Sequence, residues 1–559
     1  MDVNKNNRFT FLVGGEAGFG VRRAGATAAA LFSSMGRYSF QMDDYQSLIR
    51  GGHNFSVVTS APEEVMSQYL KADVVVALDK RSYDIHRDHI ADGGVFVVNS
   101  DSVEDAGDNA VGLALTSLAN DYPPASLRLG VASIAVLGAA VGQTEDEFID
   151  FIRQQYPRDV DSNAEYARLV FKRAREHFGS RFSLERGDAP ATILTGNQAI
   201  ALGAYAGGLD VYFAYPMTPS SSILHFLAGH AEDLGVLSVH PESEIAVMNM
   251  ALGAASMGAR AMVGSSGGGI ALMEEAMSLA GMAEVPIMAV LSSRSGPSTG
   301  VPTYTEQGDL MFALNQGHGE FPRVVASPGS VLEAYSLSAQ LMGLAWRYQI
   351  PAILLTEKHM SESGMTVRMP NELPNTLAPL MADTGDEYHR YSDTDDGVSP
   401  LLFPPSDQLI KWTSYEHDEL GLTTEAAGPI ARMHEKRNRK RQTVLKVIAG
   451  MKTVNRFGSG KTAIVTYGST TMSVREALLA GGLEAEVIQP VFLEPFPAWE
   501  FESLQGRDVV VVEQSCAAQL ATLLELKTGI KVAHSITRYD GRPFDPDELA
   551  DRLKEVLGG

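Results

Sequence analysis

Three segments within about ninety residues carry the side chains best suited to chemistry. They are Tyr215-Pro216-Met217-Thr218-Pro219-Ser220-Ser221-Ser222, His240-Pro241-Glu242-Ser243-Glu244-Ile245, and the run from Ser293-Arg294 through Gly296-Pro-Ser-Thr-Gly300 to Pro302-Thr303. Each follows an apolar, strand-like stretch, and the second opens a helix. Pro216 and Pro219 fix the backbone around Thr218. The Thr218 hydroxyl would then face a ligand at the C-terminal end of a strand, where open α/β sheets bind them. The plainer alternative is a rigid approach to a helix near Ile223, with the serines as caps. Glu242 and Glu244 fall in a first helical turn, which favours carboxylates whatever their role. Ser265-Ser266-Gly267-Gly268-Gly269 is a glycine-rich strand-to-helix turn, and close packing alone would account for it. Arg294 directly follows a strand and can hold a carboxylate through two parallel bonds, although a loop arginine often does nothing of the kind. A hydroxyl cluster, a carboxylate at a helix start and a lone arginine before a Gly/Pro turn suit an anionic substrate beside a nitrogen heterocycle.

The elements that must position these residues alternate strand and helix, which predicts a mostly parallel α/β sheet in each of three blocks. Residues 1–182 predict strands at Phe9–Val13, Phe55–Thr59, Val74–Leu78 and Val95–Asn99, with helices at Val21–Ser34, Glu145–Gln155 and Ala164–Phe178. Leu129–Gly142 is too short to span a bilayer and reads as a buried element. Ser183–Pro190 reads as a linker. Residues 192–357 repeat the grammar, with strands at Asp210–Ala214, Ala261–Val263 and Ile287–Ser292 and a helix at Glu244–Met257. Residues 358–460 hold an irregular excursion over about Lys358–Gly428, expected to pack on another domain or subunit, and then a connecting helix over Ile430–Met451. That helix carries the charge run Glu435–Arg441, whose plainest reading is a solvated face. Residues 461–559 are again α/β.

In the first block, Gly14-Gly-Glu-Ala-Gly18-Phe-Gly20 joins a strand to a helix and is followed by Arg22 and Arg23. Backbone amides there could face an anion, but the spacing is not that of a dinucleotide fingerprint. A tight turn explains it as well. Arg50-Gly-Gly-His53 adds a cation and two glycines before the next strand, and a nucleotide or coenzyme A phosphate would suit the pair of loops.

The chain has 559 residues and a formal charge of −23, a balance that argues against nonspecific nucleic-acid or anionic-membrane binding. Met1–Arg8 leads straight into a strand without an apolar leader, so a cytoplasmic protein is expected. Cys516 is the single cysteine, which excludes both a disulfide framework and a four-cysteine iron–sulfur cluster held by this chain. The 13 histidines show no zinc-protease spacing, so no metal site is expected here.

On Tyr215–Ser222, Glu244, Arg294 and Gly296–Thr303, the chain resembles the α subunit of the 2-oxoacid:ferredoxin oxidoreductases, in the form that fuses a γ-type domain to the α chain. The likeness covers nearly the whole length. It implies three doubly wound α/β domains: a γ-type domain at 1–182, a thiamine diphosphate (TPP) pyrimidine-binding domain at 192–357 and a transketolase C-terminal-like domain at 461–559. It also implies roles. Glu244 would hydrogen-bond the aminopyrimidine and be catalytic, and Tyr215, Pro216, Ser266 and Gly267 would line the cofactor. Thr218, Arg294 and Thr303 would contact the 2-oxoacid, and Gly18, Gly20, Arg50 and His53 would help hold coenzyme A. Two departures from the family pattern stand out: Met217 where isoleucine is usual, and Ser266-Gly-Gly-Gly269 where Ser-Gly-Pro-Gly is common.

No Gly-Asp-Gly with a following asparagine pair is present, so the cofactor would be shared with a β subunit. That partner would carry Mg2+ and a [4Fe–4S] cluster in an (αβ)2 assembly. The implied reaction is oxidative decarboxylation with acyl transfer to coenzyme A and electron transfer to ferredoxin, with 2-oxoglutarate the favoured substrate and reversal possible. Pyruvate or a branched-chain 2-oxoacid is the alternative within the family. A non-catalytic coenzyme A- or nucleotide-binding subunit is an alternative of another class, as is a TPP enzyme without electron transfer.

Overall fold

The computed structural model describes residues 7–46, 51–107, 110–179, 181–188, 192–383 and 387–558. The first block supplies β1 (Phe9–Glu16), β2 (Tyr38–Asp44), β3 (His53–Ala61), β4 (Ala72–Ala77), β5 (Ile90–Asn99) and β6 (Ala110–Leu113). The second supplies β7 (Ile193–Thr195), β8 (Val211–Phe213), β9 (Leu237–Val239), β10 (Ala261–Ser265), β11 (Ile287–Ser293), β12 (Val324–Ala326) and β13 (Pro351–Glu357). It is followed by β14 (Gly364–Thr366). The last part supplies β15 (Val454–Phe457), β16 (Ala463–Val465), β17 (Glu486–Pro490), β18 (Phe492–Glu494), β19 (Val509–Glu513) and β20 (His534–Thr537). They form three sheets, ordered β6-β5-β4-β1-β3-β2-β14-β7, β18-β12-β13-β11-β10-β8-β9 and β15-β17-β16-β19-β20.

The α/β class expected from the alternation is what the chain adopts, but the first sheet is mixed rather than mostly parallel. Its β6-β5-β4-β1 half is parallel, whereas β1-β3-β2-β14-β7 is antiparallel throughout. Overlooked in this sheet are β2, β6, β7 and β14, and β2 is the longest of them. Its alternation of Phe40 and Met42 with Ser39, Gln41 and Asp43 is a strand pattern, yet both faces are buried. Strand β1 also runs on through Gly14, Gly15 and Glu16, so only Ala17 to Gly20 remain for the turn. A side chain at Gly14 would sit 3.0 Å from both His53 and His86, so that glycine serves close packing. Leu129–Gly142 lies largely within the helix Ala125–Ala140, which is buried along almost its entire length.

The second sheet is parallel from β9 through β12, with β18 added antiparallel at its edge. Its strands are short and apolar, as strands covered on both faces are. The C-terminal ends of β11, β10, β8 and β9 therefore lie side by side and present the three chemistry-bearing segments and the glycine-rich turn together.

The excursion packs within the chain. Arg390 is buried, donates to the backbone carbonyl of Glu284 at 2.7 Å and to Gln349 Oε1 at 2.9 Å, and lies 4.0 Å over the Trp412 ring. The charge run on the helix Ala427–Ala449 is only partly solvated. Glu435 and Asn438 are exposed, but Lys436, Arg437 and Lys440 are buried. Lys436 Nζ reaches both Glu284 oxygens at 2.7 and 2.9 Å, and Lys440 bonds one of them. Arg437 pairs with Glu416 at 2.7 Å. The two lysines and Arg390 hold the Glu284 carboxyl below its usual range against the opposing effect of burial. Burial brings Lys440 down to about 7.

Candidate active site

Glu244 opens the helix Glu244–Ser256, and Ser243 caps it, its hydroxyl accepting from Ala246 N at 3.4 Å. Glu244 is 4 % exposed, and its Oε1 has no hydrogen-bond partner. A buried carboxylate oxygen left unpaired is costly, and a bound donor would remove that cost. The atom faces the glycine-rich turn: a Cβ placed on Gly269 would come within 3.0 Å of Glu244 Oε1 and 1.9 Å of Ser265 Oγ. This turn is helical from Gly267 to Leu272. Its glycines leave a cradle beside the carboxylate that side chains would fill.

Met217 closes that cradle from the β8 side, with Ser266 Oγ 2.6 Å and Ser265 Oγ 3.7 Å from its sulfur. The next residue, Thr218, accepts from Arg294 Nη1 at 2.8 Å through its backbone oxygen. The segment 295–304 folds back on itself, Ser295 N bonding Tyr304 O at 3.1 Å and Val301 N bonding Ser295 O at 2.9 Å. This return carries Thr303, which is buried, to the base of the loop that starts at Arg294. Tyr215 is 38 % exposed and meets the His240 ring edge-on at 5.6 Å, and Pro216 is half-buried. Glu244, Ser266, Gly267, Met217, Thr218 and Arg294 thus form one contiguous surface.

Sequence reasoning missed Asp309. Its Oδ2 accepts from Ser293 Oγ at 2.6 Å, and a Cβ on Gly267 would lie 2.5 Å from the same oxygen. The carboxyl therefore lies between the glycine turn and the strand end that carries Arg294. In the sequence only the pair Gly308-Asp309, just beyond Thr303, hints at it.

Of the residues expected around coenzyme A, Gly18 and Gly20 lie in the turn after β1 and His53 begins β3. Gly18 and Gly20 have φ of 107° and 77°, and Gly20 precedes the helix Val21–Ser34. Arg50, with residues 47–49, lies outside the described residues. His53 is buried in β3 and heads a chain of imidazoles. Its Nδ1 is 3.2 Å from Ser82 Oγ and its Nε2 is 2.8 Å from His86 Nε2, while His86 Nδ1 is 2.9 Å from His89 Nδ1. Burial lowers the pKa of all three. Both nitrogens of His53 are thereby engaged by the helix Lys80–His86. A cavity of about 320 Å3 adjoins this chain, bounded also by Arg81, Tyr304, Arg538 and Arg542. Tyr304 ties it to the Thr303 loop, donating to Asp44 Oδ1 at 3.2 Å.

Among the described residues, no group of three or more His, Cys, Asp or Glu could hold a metal ion, and no helix is long and apolar enough to cross a membrane.

A parallel α/β sheet carries a buried helix-start glutamate, a glycine cradle and an arginine at adjoining strand ends, within a segment that matches a thiamine diP-binding oxidoreductase domain. Residues 202–436 match the family described as pyruvate flavodoxin/ferredoxin oxidoreductase, thiamine diP-binding, and residues 10–173 match pyruvate ferredoxin/flavodoxin oxidoreductase. The α subunit of 2-oxoacid:ferredoxin oxidoreductase 2 from Aeropyrum pernix is 31% identical over 98% of this chain and 97% of its own. The Mycobacterium tuberculosis 2-oxoglutarate oxidoreductase subunit KorA is 27% identical over 98% of this chain and 91% of its own. Among solved structures, 2-oxoglutarate:ferredoxin oxidoreductase from Magnetococcus marinus, with 2-oxoglutarate, coenzyme A and succinyl-CoA bound, superposes with a TM-score of 0.89. It is 27% identical and covers 98% of this chain and 99% of its own. The chain belongs to the α subunits of the 2-oxoacid:ferredoxin oxidoreductases, an oxidoreductase family.

Proposed function

We propose that the chain is the α subunit of a 2-oxoglutarate:ferredoxin oxidoreductase that converts 2-oxoglutarate, coenzyme A and oxidised ferredoxin to succinyl-CoA, CO2 and reduced ferredoxin. The observation that carries this reading is the unpartnered, buried Glu244 Oε1 beside a glycine cradle, with Arg294 on the same surface. These residues fit an aminopyrimidine ring. When bound, thiamine diphosphate supplies an electron sink for decarboxylation of a 2-oxoacid. Glu244 would hold the ring nitrogen and exchange a proton at Oε1. Arg294, steadied by the Thr218 carbonyl, would take the 2-oxoacid carboxylate, with the Thr218 and Thr303 hydroxyls beside it. Tyr215, Pro216, Ser266 and Gly267 would line the ring.

The choice of 2-oxoglutarate rests on the Magnetococcus and Mycobacterium relatives. A ketoisovalerate oxidoreductase subunit from Methanothermobacter thermautotrophicus, 28% identical over 66% of this chain, keeps a branched-chain substrate as the competing outcome. Coenzyme A would enter from the first sheet, where the cavity lined by three arginines offers its phosphates counter-charge. The diphosphate, its Mg2+ and a [4Fe–4S] cluster are assigned to a β subunit. Ile245, Met250, Leu272 and Val301 are all at least 45 % exposed around the site, an apolar surface suited to such a partner. An (αβ)2 assembly in the cytoplasm completes the proposal.

The test is coenzyme A-dependent reduction of a low-potential dye by this chain co-purified with its partner. Fastest reduction with 2-oxoglutarate supports the proposal. Preference for pyruvate or 2-oxoisovalerate replaces the substrate, and no reduction with any acid leaves the binding-subunit reading. Arg294→Ala should raise the KM for the 2-oxoacid about 10- to 100-fold, the loss of a charge-assisted bond. The KM for coenzyme A should stay near that of the wild type. The reverse pattern would move Arg294 to the coenzyme A site.

A further inference from the structure

Asp309 is a carboxyl with no role in the reading above, although it sits in the middle of the same surface. Its position is fixed from both sides by one residue of the last block. Gln519 Oε1 accepts from Met311 N at 2.9 Å, and Gln519 Nε2 donates to Gly308 O at 2.7 Å. Just upstream, Gln307 N donates to Gln514 O at 2.6 Å, Gln307 Nε2 donates to Tyr467 O at 2.9 Å, and Gln307 Oε1 accepts from Thr470 Oγ1 at 2.9 Å. The segment that carries Asp309 is thus clamped to the third sheet, and its carboxyl is pressed against Gly267.

So placed, the Asp309 carboxyl receives, among the described residues, one hydrogen bond, from Ser293, and no direct ion pair. Arg294 directly follows Ser293, the residue bonded to Asp309, at the end of β11 and is the cation beside it; each favours the other's charged form against burial. The other titratable groups around it are Tyr467 on the third sheet and Glu244 across the glycine turn. Burial outweighs Ser293 and Arg294 and raises the Asp309 pKa.

Resting on the proposed function, we propose that Asp309 is a positioning residue that sets the charge of the substrate pocket. As a neutral carboxyl it leaves Arg294 unmatched for the carboxylate of a 2-oxoacid, and as a carboxylate it competes for Arg294 and repels that substrate. The sign follows directly. Ionisation of Asp309 with rising pH adds a negative charge beside an anionic ligand, so affinity falls on the alkaline side. Substrate binding in turn favours the protonated form.

The test uses the co-purified holo complex and N-oxalylglycine, an unreactive analogue of 2-oxoglutarate, with its Kd measured by calorimetry from the ordinary aspartate pKa of about 4 up to a pH of about 9. Wild-type Kd is expected to rise by up to about tenfold per pH unit above the break. Asp309→Asn should flatten the profile and bind more tightly than wild type at the alkaline end. Ser293→Ala removes the hydrogen bond that favours the ionised form, so it should shift the break to higher pH. A flat wild-type profile would overturn the proposal. So would an Asp309→Asn profile that rises like wild type, or a break that Ser293→Ala leaves in place. If Asp309→Asn does not fold, the Ser293→Ala shift alone decides. No binding of the analogue at any pH would instead count against the proposed substrate class.

Discussion

Replacing Glu244 with glutamine is expected to cut turnover of the assembled enzyme by about 10^2- to 10^4-fold, the range for removing a general acid–base, while leaving the fold intact. Glutamine matches glutamate in volume, so Ser243 still caps the helix and Gly269 still packs beside it. The amide cannot exchange a proton as the carboxyl does. Stability should stay level or rise, because the substitution removes the charge from a buried oxygen that has no partner in the free chain. Thermal unfolding of the purified chain and steady-state turnover of the complex give the two readouts. Turnover near that of the wild type would remove Glu244 from its assigned role. A large loss of stability would show that the carboxylate is paired with something other than a ligand.

The second large effect lies far from the chemistry. Glu284→Gln is expected to destabilise the chain by about 3–5 kcal/mol, the usual loss when one partner of a buried ion pair is removed. Lys436 and Lys440 stand one helical turn apart with both ammonium groups on the same carboxylate. Without that charge the buried Lys436 and Lys440 lose their counter-ion, and Lys440, already brought down to about 7 by burial, gives up its proton more readily. Hydrogen exchange should quicken in 427–449 and around Arg390, the segments that Glu284 gathers. Adding Lys436→Met and Lys440→Met to the glutamine variant should recover most of the loss, since apolar groups of similar volume replace buried ion pairs well. A loss under about 1 kcal/mol in denaturant titration would mean that water reaches the cluster.

The contrast between Glu244 and Glu284 shows what was legible in the sequence. Glu244 could be read because its neighbours in space are also close in the chain. Thr218, the Ser265–Gly269 turn and Arg294 all fall at ends of consecutive short strands, where an open α/β fold must bring them together. Glu284 follows a helix and has no such neighbour, and its partners lie 152 and 156 residues away. A signal did exist. Met433, Lys436, Arg437, Lys440, Val444 and Ile448 recur at helical spacing, so three of the basic residues fall in the buried stripe rather than opposite it. Asp309 was hidden for a different reason. Its contact with Gly267 depends on the return of the 295–304 loop and on Gln519 of the last block, and neither is a periodic feature. Strand β2 was missed because a doubly covered antiparallel strand keeps polar residues in its core, so alternation no longer reports which face is wet.

The place of β7 and β14 gives the joined chain a meaning beyond covalent linkage. Residues 193–195 and 364–366 pair with each other, and β14 pairs with β2 at the margin of the first sheet. Everything between them, including Glu244 and Arg294, hangs as one long loop from a ribbon whose two ends are held about one strand spacing apart, near 4.8 Å. The seam between the blocks therefore runs through a hydrogen-bonded sheet and not through the linker at 183–190. Cutting that linker would leave the ladder whole. Two separate chains with the same strands could rebuild this junction by adding the ribbon to the open margin of β2, as peptides add to sheet edges elsewhere.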